Sequence, residues 1–225
     1  MALLSVIVPV YNEVKTIRQI LEKISTVAVD KEIIVVDDGS SDGTDKVLRE
    51  IQLPNLKVIH HSSNRGKSAA FLTGLANATG EYVIIQDADL EYDPTEYVKL
   101  IDEFNKDGAD IVLGSRFTEG YRGLLIPRLG NQFLTGLLNL LFGAQLNDFL
   151  TCYKLLRRDT LIKLDLKSQG FGIDTEIISK VLKRKLKIKQ VPVSYKPRNY
   201  AEGKKIKWYD GIKAIASIIK YRFWE

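Results

Sequence analysis

The chain has 225 residues, 45% hydrophobic and 27% charged, an ordinary globular composition that excludes global disorder. Its single cysteine, Cys152, excludes an intrachain disulfide and fits a reducing compartment. The net charge is +5, and between Lys183 and Lys207 ten Lys or Arg face one acid, Glu202. Such a bias suits nucleic acid, anionic lipid, a phosphorylated small substrate, or simply a solvated basic surface.

The first ten residues are apolar but lack the basic leader of a secretory signal. Leu4 to Val8 reads as a strand, and Val14, Ile17, Leu21 and Ile24 mark one face of a helix. Glu32 to Val36 is a second strand that runs into the turn Asp37-Asp38-Gly39-Ser40-Ser41-Asp42-Gly43-Thr44, and Val47, Leu48 and Ile51 continue as a helix. Leu56 to His60 is a third strand, followed by a polar loop and an Ala-rich helix from Lys67 to Asn77. His60 and His61 have no spaced His or Cys partners, so a zinc site is not expected.

Tyr82 to Gln86 is a nearly continuous apolar strand, as for one covered on both faces. It carries Asp87-Ala88-Asp89 at its carboxyl end. Asp93-Pro94-Thr95-Glu96 opens the next helix, with a cap and a proline at the first position, and Ile111 to Gly114 adds a strand. Repeated βα units of this length predict an α/β fold, a mostly parallel sheet with helices on both faces. Ligands on such sheets sit beyond the carboxyl strand ends, where the polar runs 37–44, 64–67 and 87–91 all fall.

From Arg116 onward the pattern changes. Gly120, Gly123 and Pro127 mark a loop, and a helix is expected from Arg128 to Phe142 with a wide apolar arc. Its polar members, Arg128, Asn131, Gln132 and Asn139, make the 124–149 stretch too polar for a roughly 20-residue membrane crossing. Strands are expected at Tyr153–Leu156 and Lys187–Tyr195, with a helix at Asp174–Arg184 between them. The tail from Lys205 to Trp224 places Trp208, Ile212, Ile215 and Ile219 on one helical face. A basic amphipathic helix with terminal aromatics suits a membrane interface, and ordinary packing onto the core explains it equally well. One domain over 1–225 is expected, its ligand-binding strand ends within 1–115.

Two aspartates one residue apart can converge on one hard cation when they sit in a turn. Asp87 and Asp89 suit Mg²⁺ or Mn²⁺ on a nucleotide diphosphate, with Glu91 as a third ligand. Asp38, at a neighbouring strand end, suits hydrogen bonds from a base or ribose, whereas Asp42 reads as a turn and cap residue.

The runs Val6-Ile-Val-Pro-Val-Tyr-Asn-Glu13, Val36-Asp-Asp-Gly-Ser-Ser-Asp-Gly-Thr44, Asn64-Arg-Gly-Lys67 and Asp87-Ala-Asp-Leu-Glu91 together resemble family 2 glycosyltransferases. Gly114-Ser-Arg116, Asp148-Phe-Leu-Thr-Cys-Tyr-Lys154 and the Val191-Pro-Val…Pro197-Arg198…Glu202-Gly-Lys204 run are similar to the dolichol-phosphate mannose synthase branch. The resemblance implies a GT-A fold and inverting hexose transfer from a GDP- or UDP-sugar to a polyprenyl phosphate. It divides the chain into a donor half, 1–115, and an acceptor half, 116–225. By the same resemblance Pro9, Tyr11, Glu13 and Asp38 line the nucleoside pocket, and Asp87, Asp89 and Glu91 hold the metal. Many relatives carry Gln at the last of these positions, so Glu91 is a departure. Lys67, Arg198 and Lys204 join the donor-binding set, with Lys205 an equal competitor for the place of Lys204. Arg116 and Arg128 are matched to the acceptor phosphate, which guanidinium grips through paired donors. Asp148 falls where many inverting relatives carry a catalytic carboxylate; its role as base, or as a group that orients the sugar or an arginine, stays open. The enzyme is expected in the cytoplasm, peripheral on the membrane face. A transferase acting on a saccharide or protein hydroxyl is the nearest alternative and needs a true base. A nucleotide-sugar-binding protein without activity is disfavoured by retention of both metal carboxylates. Nucleic acid is disfavoured because few aromatics accompany the basic residues.

Overall fold

The computed structural model describes residues 3–117, 125–170, 172–198 and 208–224. Four strands, β1 (Leu4–Val10), β2 (Lys31–Asp37), β3 (Leu56–His60) and β4 (Tyr82–Ile85), alternate with helices α1 (Ile17–Thr26), α2 (Thr44–Glu50) and α3 (Lys67–Ala76). A single 3-10 turn at Pro94–Glu96 leads into α4 (Tyr97–Asp107), and β5 (Ile111–Ser115) follows. The second half holds α5 (Leu125–Phe142), β6 (Lys154–Arg157), α6 (Arg158–Lys163), α7 (Ile173–Lys183), β7 (Ile188–Pro192) and α8 (Trp208–Phe223). The strands form one sheet in the order β3-β2-β1-β4-β6-β5-β7. All neighbours pair in parallel except β6, which runs antiparallel between β4 and β5.

Every residue of β4 and β5 is buried, which for alternating side chains requires cover on both faces of the sheet. Each fully buried Val, Ile or Leu contributes roughly 1.5–3 kcal/mol, so these short apolar runs form strands despite their length. Helix α3 lies close over β1: a Cβ at Gly74 would stand 2.4 Å from Ile7 Cγ2. Register brings the strand ends together, since Val10 pairs with Asp37 and Ile7 with Ile85. The segments that follow β1, β2 and β4 therefore open on one edge of the sheet, as the parallel arrangement predicts.

Three local expectations need correction. Helix α5 begins at Leu125 rather than Arg128, because Pro127 in the first turn lacks only an N–H that would have no helical partner there. Helix α6 has six residues, too few for a periodic signal, and was not expected. The buried side of α8 is Ile218 and Tyr221, with Ala214 and Ile215 packed beside them, while Ile212 and Ile219 are exposed. Helix α8 lies against α7 and α5, and those two surfaces choose its inner face from several apolar candidates. The expected partner Trp208 has no described side chain.

Candidate active site

The 11–14 and 38–44 segments are stitched to one another at the ends of β1 and β2. Asn12 N–H donates to Ser40 Oγ at 2.9 Å, Ser41 N–H to Asn12 Oδ1 at 2.8 Å, and Glu13 N–H to Thr44 Oγ1 at 3.0 Å. Asp42 accepts from Val14 N–H and Thr44 N–H, both at 3.0 Å, the turn role expected of it. Gly39 has φ +73°, and a Cβ there would meet the Ser63 carbonyl carbon at 2.6 Å, so only glycine lets the loop after β3 approach the loop after β2. Pro9 and Tyr11 flank this junction, with Tyr11 exposed and Pro9 half-buried.

Asp38 is almost fully buried, and both of its oxygens are engaged by the segment after β3. Oδ1 accepts from His61 Nδ1 at 2.6 Å and Arg65 N–H at 3.0 Å; Oδ2 accepts from Gly66 N–H at 2.7 Å. His61 Nε2 in turn meets Thr73 Oγ1 at 2.9 Å. Asp38 was expected to face a nucleoside. In this arrangement its carboxylate shapes the 61–66 loop, and through it the start of α3 at Lys67.

The Asp87-Ala88-Asp89 turn is oriented from below by Gln86. Gln86 Oε1 accepts from the hydroxyls of Tyr97 at 2.6 Å and Tyr153 at 2.7 Å, and its Nε2 donates to the Asp87 backbone carbonyl at 3.0 Å. Asp87 Oδ1 lies 2.7 Å from Lys67 Nζ. Burial alone would raise the Asp87 carboxyl, but Lys67, a Cys152 contact and Lys154 hold it below its ordinary value. Lys67 was placed with the donor-binding residues; the structure sets it on Asp87.

Asp89 points the other way. Its Oδ1 accepts from Glu91 N–H at 3.1 Å, and its Oδ2 meets Arg198 Nη2 at 3.2 Å. Arg198 also binds both Glu13 oxygens, at 3.1 and 3.2 Å. Glu91 Oε2 accepts from Tyr195 OH at 2.7 Å and Oε1 from Arg198 N–H at 2.8 Å, while the Glu91 carbonyl accepts from Lys196 N–H at 2.8 Å. The segment after β7 is thus laid along the 89–92 turn, with one guanidinium among three acids. Burial, then Asp87 and Glu91, push the Asp89 carboxyl up to about 7, against the opposing pull of Arg198.

Among the described residues, no three acids, histidines or cysteines converge with cation-binding geometry, so Asp87, Asp89 and Glu91 are neighbours rather than a preformed triad. Their chemistry nevertheless fits Mg²⁺ or Mn²⁺. All three offer hard oxygens, and the raised Asp89 carboxyl marks a cluster short of positive charge.

Arg116 follows β5 and closes on Asp148, which is fully buried. Nε donates to Oδ2 at 2.6 Å and Nη2 to Oδ1 at 2.8 Å, a two-bond fork that also holds the guanidinium flat. The Tyr195 ring stacks 5.1 Å from that guanidinium, which links Arg116 to the Glu91 turn. Arg128 sits half-buried in the first turn of α5. Lys204 and Lys205 lie outside the described residues.

Sequence reasoning gave no role to Lys154 or Asp174. Lys154 is buried on β6, donates to the Thr151 carbonyl and meets Asp174 Oδ1 at 2.6 Å. The outward signal was a lysine among the apolar residues of the strand expected at 153–156. Glu176, also buried, accepts from Lys167 N–H at 2.9 Å, Ser168 N–H at 2.7 Å and Lys180 Nζ at 2.6 Å, fixing the loop ahead of α7.

The family model described as Glycosyl transferase family 2 matches residues 5–165. The chain belongs to that family. Its fold is accordingly of the α/β, GT-A type, and the strand-end cluster is the region in which such a fold binds its ligands. It is 31% identical over 202 residues to a low-salt glycan biosynthesis hexosyltransferase of Haloferax volcanii, covering 87% of this chain and 48% of that protein. This family 2 chain thus spans about half the length of that relative. With the polyprenol monophosphomannose synthase of Mycolicibacterium smegmatis it shares 29% identity over 215 residues, 88% of this chain and 79% of that one. The dolichol-phosphate mannose synthase-like branch is thereby supported. The structure superposes on glucosyl-3-phosphoglycerate synthase of Mycobacterium tuberculosis with a TM-score of 0.73 at 22% identity, covering 98% of this chain and 80% of that one. That structure was solved with Mn²⁺, UDP-glucose and phosphoglyceric acid, and at this identity it supports the fold.

Proposed function

We propose that this glycosyltransferase moves a hexose from a GDP- or UDP-linked donor to a polyprenyl phosphate at a membrane surface. The observation that carries this reading is the commitment of Asp148. A carboxylate that must take a proton from a hydroxyl acceptor has to reach it and be basic, yet Asp148 is fully buried and accepts three bonds from Arg116, which favour its ionised form. A phosphate acceptor is already anionic at neutral pH and needs orientation and charge rather than a base. Asp148 then serves as the group that orients Arg116, and Arg116 with Arg128 receives the acceptor phosphate. The name of the Mycolicibacterium relative, a polyprenol monophosphomannose synthase, agrees with that acceptor.

On the donor side, Asp89 and Glu91, with Asp87, would hold a divalent cation, and Pro9, Tyr11 and Glu13 would border the nucleoside. Bound there, the cation neutralises charge on the departing nucleoside diphosphate. Arg198 supplies positive charge to the same acids in its absence, and is placed to turn toward the diphosphate once a cation takes over Asp89 and Glu91.

No described helix is long and apolar enough to cross a membrane. An apolar surface is present instead. Leu125, Ile126, Leu129, Phe133 and Leu140 of α5 are exposed, as are Phe223 and Trp224 at the end of α8. Arg222 Nε donates to the Leu141 carbonyl at 2.7 Å, so the two helix ends adjoin, and Lys220 adds charge beside them. A basic rim on an apolar face suits an anionic bilayer that presents the lipid acceptor.

The test is a donor panel of GDP-mannose, UDP-glucose and UDP-N-acetylhexosamine with a short polyprenyl phosphate in anionic vesicles and Mg²⁺ or Mn²⁺. One donor is expected to give a radiolabelled lipid product. No lipid product from any donor, together with glycosylation of a sugar acceptor, would overturn the reading.

A further inference from the structure

Lys154, Asp174, Lys67 and Asp87 form a chain of alternating charge that runs from inside the sheet to the donor site. Lys154 Nζ lies 2.6 Å from Asp174 Oδ1, Asp174 Oδ2 lies 3.9 Å from Lys67 Nζ, and Lys67 Nζ lies 2.7 Å from Asp87 Oδ1. The four members come from four places in the chain: β6, the first turn of α7, the start of α3 and the turn after β4. Lys154 is 1% exposed and Asp174 9% exposed, so water screens the inner pair little.

A buried ion pair adds little net stability over an apolar pair of similar shape, so stability alone does not account for its presence here. Its field is felt at the outer end. The Lys154 charge acts on the Asp87 carboxyl, and the Asp174 charge acts on the Lys67 ammonium. Lys67 therefore stands between two carboxylates, and the share of its charge left to Asp87 depends on Asp174.

We propose that Lys154 and Asp174 are positioning residues that set the charge at the Asp87 end of the cation site, acting through Lys67. This rests on the reading of Asp87 and Asp89 as the cation-binding acids. Removing Asp174 leaves one uncompensated positive charge behind Asp87, which repels a divalent cation. Removing Lys154 leaves one uncompensated negative charge, which attracts it. Loss of packing alone would move both variants the same way.

The experiment is titration of the purified protein with Mn²⁺ alone, free Mn²⁺ being read by its electron paramagnetic resonance signal. Asp174→Asn is expected to weaken Mn²⁺ binding about threefold to tenfold, Lys154→Met to tighten it by a similar factor, and the double variant to bind near the unsubstituted value. Asp174→Glu and Lys154→Arg, which keep the charges and burden folding least, are expected to stay within about twofold. The proposal is overturned if the two neutralising variants shift affinity in the same direction, or if neither shifts it. Should either of them fail to fold, a change beyond fivefold in the charge-keeping pair overturns it as well. Absence of Mn²⁺ binding by the unsubstituted protein is a different result: it defeats the cation-site reading and this inference with it.

Discussion

Asp148→Asn is expected to lower transfer to a polyprenyl phosphate about 10- to 100-fold without abolishing it, whereas Arg116→Ala lowers it about 1000-fold or more. The asymmetry follows from the fork between the two side chains. Asparagine keeps one oxygen for Arg116 but turns an NH₂ toward the other guanidinium donor, so the arginine loses its fixed plane and keeps its charge. Alanine at 116 removes the charge that meets the acceptor and strands a buried carboxylate, at a cost of about 3–5 kcal/mol in stability. Steady-state kinetics with separate acceptor and donor titrations check the first effect, and thermal melting checks the second. The loss in Asp148→Asn should appear mainly in the acceptor KM. Complete loss of turnover in that variant, with acceptor binding intact, would point to a general base and hence to a hydroxyl acceptor.

Asp89→Ala is expected to remove metal-dependent turnover, a fall of about 1000-fold at saturating Mn²⁺, and to leave the fold intact. The reason for intact folding lies in the same electrostatics that mark the site. Burial and the neighbouring Asp87 and Glu91 carboxylates already disfavour the Asp89 charge, so removing it relieves crowding. Arg198 keeps its two contacts to Glu13 and its backbone bond to Glu91 in that variant. The checks are a thermal melt within a few degrees of the unsubstituted protein and a chelator control that reproduces the loss. Unchanged turnover in Asp89→Ala would sink the metal assignment.

Residue by residue, the two halves of the chain differed in how far they could be read in advance. In the first half each strand is a short apolar run ended by polar turn residues, and each helix repeats its apolar positions at helical spacing. The order of elements and the edge at which 37–44, 64–67 and 87–91 gather were therefore legible, and the parallel register then brought Val10 beside Asp37. In the second half β6 enters the sheet antiparallel between β4 and β5, a choice that depends on which strands have open edges. Helix α8 is apolar around much of its circumference, and the surfaces of α7 and α5 selected Ile218 and Tyr221 over Ile212 and Ile219.

Asp87-Ala88-Asp89 and Arg116 were visible in the sequence as kinds of residue at strand ends, because local hydrophobic pattern determines where a strand stops and what it delivers, while Asp148 and Arg198 were visible through their resemblance to family motifs. Their partners were not. That Asp87 turns to Lys67 while Asp89 turns to Arg198, that Asp38 is taken up by the N–H groups of Arg65 and Gly66, and that Lys154 and Asp174 lie behind the site are facts of contact between segments far apart in the chain. Hydrogen bonds and ion pairs act over about 3–4 Å in three dimensions, so they are decided only when the sheet and its helices have packed. The sequence alone determined which charged groups reach the site, and the tertiary structure decided how each is neutralised.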